Sequence, residues 1–95
     1  MEYIFNDNTY IYEKGDNDLI NYEDLKELVT SYFNPYDYIF IDEAYSKLRL
    51  KGFYDSDNKK KKQLNDIRYL DDYIENYCSY GSKWVLLKKV KKQQK

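Results

Sequence analysis

No histidine occurs among the 95 residues, and that one absence excludes much of enzyme chemistry. Imidazole is the side chain that titrates near neutrality without help, so the commonest general base, the serine triad and most transition-metal ligand sets are missing together. Cysteine is nearly absent too. The single Cys78 cannot close an internal disulfide, which fits a reducing compartment, and it has no imidazole partner to make it a nucleophile. The three glycines, Gly15, Gly52 and Gly81, are isolated, so no glycine-rich loop is present to cradle a nucleotide phosphate. No apolar run approaches the roughly 18 residues of a membrane-spanning helix. Met1-Glu2-Tyr3 is not the basic start of a secretory signal. The expectation is a cytoplasmic chain in a bacterial cell, with no membrane contact, cofactor or metal.

The carboxylates do not replace the missing groups. Asp55-Ser56-Asp57-Asn58 runs into lysines where a calcium loop needs glycine, and Asp16-Asn17-Asp18 has no bidentate glutamate at the required distance. Both read as turns. Asp71 with Glu75, and Asp42 with Glu43, are spaced for Mg²⁺ or acid–base work, but neighbouring acids on a helix ordinarily form a solvated face. A non-enzymatic protein follows.

Aromatic residues are abundant instead, at 19% of the chain with 13 tyrosines, and 42% of residues are hydrophobic. This is enough for the core of one domain, expected over residues 1–90, with residues 91–95 as a flexible basic tail. Lys, Asn, Ile and Tyr dominate, against one Ala and one Pro. That usage follows AT-rich codons and is shared by many small phage and mobile-element proteins.

Tyr3/Phe5 and Tyr10/Tyr12 alternate about a polar turn, predicting a hairpin with a two-residue Asp7-Asn8 loop and Phe5 opposite Tyr10. Asn21 with Asp24 forms a capping signature, and Leu25, Leu28, Val29, Tyr32 and Phe33 make one helical stripe ending before Pro35. Residues 35–51 fit a buried strand at Tyr38-Ile39-Phe40-Ile41. They also fit a second helix, with Ile41, Ala44, Tyr45 and Leu48 on one face and Gly52 as its stop. The cap at Asn34-Pro35-Tyr36-Asp37 favours the helix. Leu64, Ile67, Leu70, Ile74, Tyr77 and Cys78 mark a third helix, and Trp84-Val85-Leu86-Leu87 a last strand returning to the hairpin. The predicted fold is α+β in the order ββαααβ: a small antiparallel sheet packed by three helices.

Charge is divided along the chain. Residues 1–46 hold 11 acidic and 2 basic side chains, and residues 47–95 hold 6 and 14. If folding keeps the halves apart, they present opposed fields; if it interleaves them, most of the asymmetry cancels. On the first reading, Asp16, Asp18, Glu23, Glu27, Tyr36, Asp37, Tyr38, Asp42 and Glu43 form an acidic, tyrosine-bearing surface suited to a partner's basic groove. Tyr32, Tyr45 and Tyr77 are expected in the core, while Tyr22, Tyr36, Tyr38, Tyr54, Tyr69 and Tyr80 are expected at the surface. The function that follows is a phage or mobile-element inhibitor of the anti-CRISPR or other anti-defence type. It would block a host nucleoprotein or nucleic-acid enzyme as a monomer or small homo-oligomer. The alternative is a nucleic-acid-binding accessory protein that grips the backbone with Lys59, Lys60, Lys61, Lys62, Arg68, Lys88 and Lys89.

Overall fold

The computed structural model of the chain describes residues 2–78 and 81–90. Five strands, β1 (Glu2–Phe5), β2 (Asn8–Gly15), β3 (Tyr38–Ala44), β4 (Lys47–Phe53) and β5 (Trp84–Lys89), make one sheet in the order β1-β2-β5-β3-β4. Every neighbouring pair is antiparallel. Among the described residues there are two α-helices, α1 (Tyr22–Leu28) and α2 (Leu70–Tyr77), with short 3-10 turns between elements. The expected order ββαααβ is therefore corrected to ββαββαβ: the second predicted helix is a hairpin. The predicted tail, residues 91–95, lies outside the described residues.

The first hairpin turns at Asn6-Asp7, both at positive φ (52° and 66°), the type I′ geometry whose twist matches that of the strands. Tyr3 therefore faces Tyr10, and Phe5 faces Asn8, two residues away from the expected register. A shift of two leaves every side chain on its expected face, because strand side chains alternate with period two. α1 starts as the capping signature predicts, with Asn21 Oδ1 accepting from the Asp24 backbone N–H at 3.2 Å. It ends at Leu28, short of the predicted stripe. Phe33 reaches the core from a separate 3-10 turn, Ser31–Phe33, and Tyr32 is left 66% exposed.

Both faces of the sheet are covered around β5 and β3, while Ile4 of β1 stays 56% exposed. On one, Leu25, Val29 and Phe33 pack over Phe5, Tyr10, Ile39, Ile41, Val85 and Leu87. On the other, Leu70, with half-buried Tyr73 and Ile74, packs over Tyr38, Phe40, Phe53 and Leu86. A strand covered on both sides reads as an unbroken apolar run, and residues 38–42 are buried without a break. That is why periodicity could not separate β3 from a helix.

Asp42 is 2% exposed and belongs to the α2 side. The Arg49 guanidinium, directly opposite in β4, donates to it through Nε at 3.2 Å and through Nη2, and the Cys78 thiol donates to the same carboxylate at 3.4 Å. A buried carboxylate needs such donors, since its charge is otherwise uncompensated. Burial, and then the charge of Asp42, push the Cys78 thiol up to about 11 from an ordinary 9.0. The unfolded chain therefore releases the Cys78 proton before the folded chain does. This contribution is constant below pH 9, and folding stability falls as pH rises from about 9 to 11. Urea midpoints measured across that range should fall less steeply for Cys78→Ala than for the natural chain, and parallel curves would refute the assignment.

Gly52, expected as a helix stop, serves close packing. A Cβ there would overlap the Tyr36 ring, which lies across β4 and stacks against Tyr54 at 4.7 Å. Gly52→Ala should cost about 1–3 kcal/mol by overpacking. In a Tyr36→Ala background the same change should cost much less, a difference readable by a double-mutant cycle in urea.

Candidate functional site

Placing the nine residues of the predicted acidic surface breaks it into pieces. Asp42 is internal and Tyr38 is buried among Phe40, Phe53 and Leu86. Asp37 accepts from the Asp55 backbone N–H at 2.8 Å and from the Asn58 amide at 3.0 Å, holding the loop after β4. Half-buried Tyr36 is bonded to Tyr32 through their hydroxyls at 3.3 Å. That bond and burial push the Tyr36 hydroxyl up to about 12. Asp16 and Asp18 flank the turn after β2. Asp18 meets Lys83 at 2.8 Å, and that bond holds its carboxyl below the usual range. Asp16, Glu23, Glu27 and Glu43 remain exposed, with Glu23 paired to Lys26 at 3.5 Å on the outside of α1.

The structure gathers Glu27 with residues that helical periodicity had placed elsewhere. Asp24, Glu27 and Leu28 of α1 line an open cleft with Ser46, Lys47 and Leu48 of the β3–β4 hairpin. α1 can present this row because Leu25 and Val29 take up its inward side, leaving Leu28 exposed. Glu43 lies opposite Leu48 in the hairpin register, so the two share the α1 face, while adjacent Asp42 points the other way. The cleft is thus acidic on its helix side and apolar at its floor.

The hairpin turn at the rim is unusual. Tyr45 and Ser46 both have positive φ (52° and 63°), yet neither is a residue that favours this region. Tyr45, expected in the core, is 99% exposed. A bulky residue in the left-handed region carries a backbone cost that burial here does not offset. No turn signal in the sequence marks this position, and only the fold shows it.

The predicted cationic set divides as well. Lys59–Lys62 are exposed in the loop before α2, and Arg68 pairs at 3.4 Å with Asp66, itself buried and bonded by Ser56 Oγ at 2.6 Å. Lys61, Lys62 and Arg68 line one cleft. Lys88 and Lys89 are half-buried in β5, with Lys89 Nζ donating to the Asn34 carbonyl at 2.6 Å. The tyrosine expectations are largely inverted: Tyr32, Tyr45 and Tyr77 are exposed, whereas Tyr38 and Tyr54 are buried, and Tyr80 lies outside the described residues. Among the described residues no three carboxylate or thiol groups converge in a way that could hold a metal ion. No described helix is long and apolar enough to cross a membrane.

Comparison with known proteins places these features. The family described as "Putative antitoxin YutD-like" matches residues 4–88. The protein "Putative antitoxin YutD" of Bacillus subtilis (strain 168) is 41% identical over 75 residues, covering 79% of this chain and 82% of that protein. The solution NMR structure of yutD from B. subtilis matches with a TM-score of 0.77 at 33% identity, covering 100% of this chain and 86% of that one. These matches overturn the expectation of an anti-CRISPR or other anti-defence inhibitor from a phage or mobile element. Composition had pointed to a genome's codon bias and not to a function. Matched over most of its length in sequence and throughout in fold, the chain belongs to the YutD-like family.

Proposed function

We propose that this protein acts without catalysis, as an antitoxin-type domain that neutralises a protein partner by occupying its surface. The observation that carries this reading is Tyr45, a large aromatic side chain held fully in solvent on a turn that Asn-Gly would build with less strain. Its fit to contact is better than its fit to folding. Tyrosine is a favoured anchor at interfaces, being rigid and partly polar. Beside it, Leu28 and Leu48 offer apolar contact, and Asp24, Glu27 and Glu43 outnumber Lys47 around it, so the rim is net negative. A partner with a cationic rim around an apolar pocket is complementary to this arrangement, and the association should weaken with salt. Family membership supports the antitoxin role.

The experiment is capture from a B. subtilis lysate with the natural chain and with Tyr45→Ala, followed by inducible expression of the captured protein. The expected partner arrests growth alone and ceases to do so when the natural chain is co-expressed. Tyr45→Ala and Asp24→Lys/Glu27→Lys should weaken capture by roughly tenfold or more and fail to rescue growth. Tyr45→Asn/Ser46→Gly should raise stability by about 0.5–1 kcal/mol while still losing the partner. Rescue that survives all three changes would exclude this face.

A further inference from the structure

The α2 side of the sheet carries a second surface that neither the core nor the proposed antitoxin face explains. Leu64, expected to open the apolar stripe of a third helix, is 74% exposed. Its exposure is built in. The turn that bears it, Gln63–Asn65, is pinned on both sides of Tyr54: the Tyr54 N–H donates to the Asn65 carbonyl at 2.6 Å and its carbonyl accepts from Ile67 at 2.9 Å. Asn65 Oδ1 also accepts from the Lys62 N–H at 2.7 Å. The side chain is therefore presented from a braced backbone and is not on a frayed end.

Leu64 lines an open groove of about 240 Å³ with Tyr69, Tyr73 and Tyr77. Tyr73 is fixed from below, edge-on to Phe40 and Phe53 at 5.5 Å, and stacks with Tyr77 at 5.0 Å, so the wall is stiff although Tyr77 is 60% exposed. The volume is under that of ordinary cofactor pockets and suits one or two apolar side chains. The groove's floor is apolar, but its edges bear the Gln63 and Asn76 amides. An amide both donates and accepts, which matches the N–H and C=O of a peptide backbone.

Gln63 and Tyr69 also line the adjoining cleft, where Lys61, Lys62 and Arg68 stand. Among the described residues no carboxylate is within 4 Å of the Lys61 or Lys62 ammonium group, whereas Arg68 is already shared with Asp66. Two exposed cations, of which Lys61 also lies within electrostatic reach of Asp66, thus sit next to an aromatic groove with amide edges. Nucleic acid would use the cations and rings, but Asp72 lines the aromatic groove and Asp66 the cationic cleft, where a phosphate chain would pass. A peptide is hindered less, because the part of it in the aromatic groove can be an uncharged side chain whose backbone N–H groups donate to Asp72, with its carboxylates confined to the side of Lys61 and Lys62.

We propose that this composite groove is a docking site for an acidic protein segment carrying one large apolar side chain, its anchor between Leu64 and Tyr77 and its carboxylates on Lys61 and Lys62. The test is fluorescence anisotropy with a fluorescein-labelled peptide in which one leucine is flanked on both sides by glutamates. Controls are the same peptide with lysine for glutamate, the same with alanine for leucine, and a labelled oligothymidylate. The glutamate–leucine peptide should bind saturably and the controls should not. Leu64→Lys and Lys61→Glu/Lys62→Glu, all surface changes checked for folding by circular dichroism, should each weaken it roughly tenfold or more. Tyr45→Ala, on the other face, should leave it unchanged, so the outcome is independent of the antitoxin reading. Peptide binding that survives the groove substitutions, no peptide binding, or preferential binding of the oligothymidylate would each overturn the proposal.

Discussion

Everything in this fold depends on β5, the last strand among the described residues and the middle strand of the sheet. Its residues 84–88 pair with Asp42 through Tyr38 on one side, and β2 occupies the other. Without it the chain holds two hairpins that share no edge. Val85, Leu86 and Leu87 are buried together and alternate between the two cores, so one three-residue run contributes to both. Closing these pairings requires bringing together segments distant in sequence, which favours a slow, all-or-none assembly over stepwise growth. The close approach of β2 to β5 is also why Gly15 has no Cβ: it would lie 2.5 Å from the Trp84 carbonyl oxygen.

The same threading decides the fate of the divided charge. β4 and β5 come from the basic half, yet they flank β3 of the acidic half, and cations on or just before them meet that half's oxygens: Arg49 on Asp42, Lys83 on Asp18, Lys89 on the Asn34 carbonyl. Part of the asymmetry along the chain is therefore taken up by contacts between the halves. The asymmetry survives in two places the sheet does not reach, the outer side of α1 and the loop before α2. Because the helices lie on opposite faces, those two remnants cannot neutralise each other locally.

Features set by local chemistry were legible in the sequence. The Asn21 cap, the first hairpin's faces, the last strand and the burial of Leu70 follow from capping, alternation and short apolar runs, and the structure contains them. What was not legible depends on partners distant in the chain. β3 lacks alternation because helices cover both its faces. The Tyr45-Ser46 turn lacks glycine and asparagine, so no turn residue announced the hairpin. Reading that segment as a helix put Tyr45 inside and Tyr38 outside, the reverse of what a strand requires. Reading Ser31–Phe33 as a continuation of α1 buried Tyr32 by the same error. The charged members of the candidate surfaces, Glu27, Glu43, Lys61 and Lys62, were named from the sequence, but their apolar members were missed because a periodicity argument assigns such side chains to the core by default.

That default fails here because the helices are very short. Segments of 7 and 8 residues do not hold together in water by their own hydrogen bonds, so α1 and α2 persist only through the sheet beneath them. Each therefore fixes itself with a few inward residues, Leu25 and Val29 in one case and Leu70, Tyr73 and Ile74 in the other. Those few anchors leave most of each helix's circumference, and the turns beside it, free of packing demands. Apolar groups placed there, such as Leu28, Leu64 and Tyr77, add little to folding and are available to be buried by something else. A small domain has little core to spare, so large apolar side chains held outward on braced backbone are better explained by contact with another molecule than by stability.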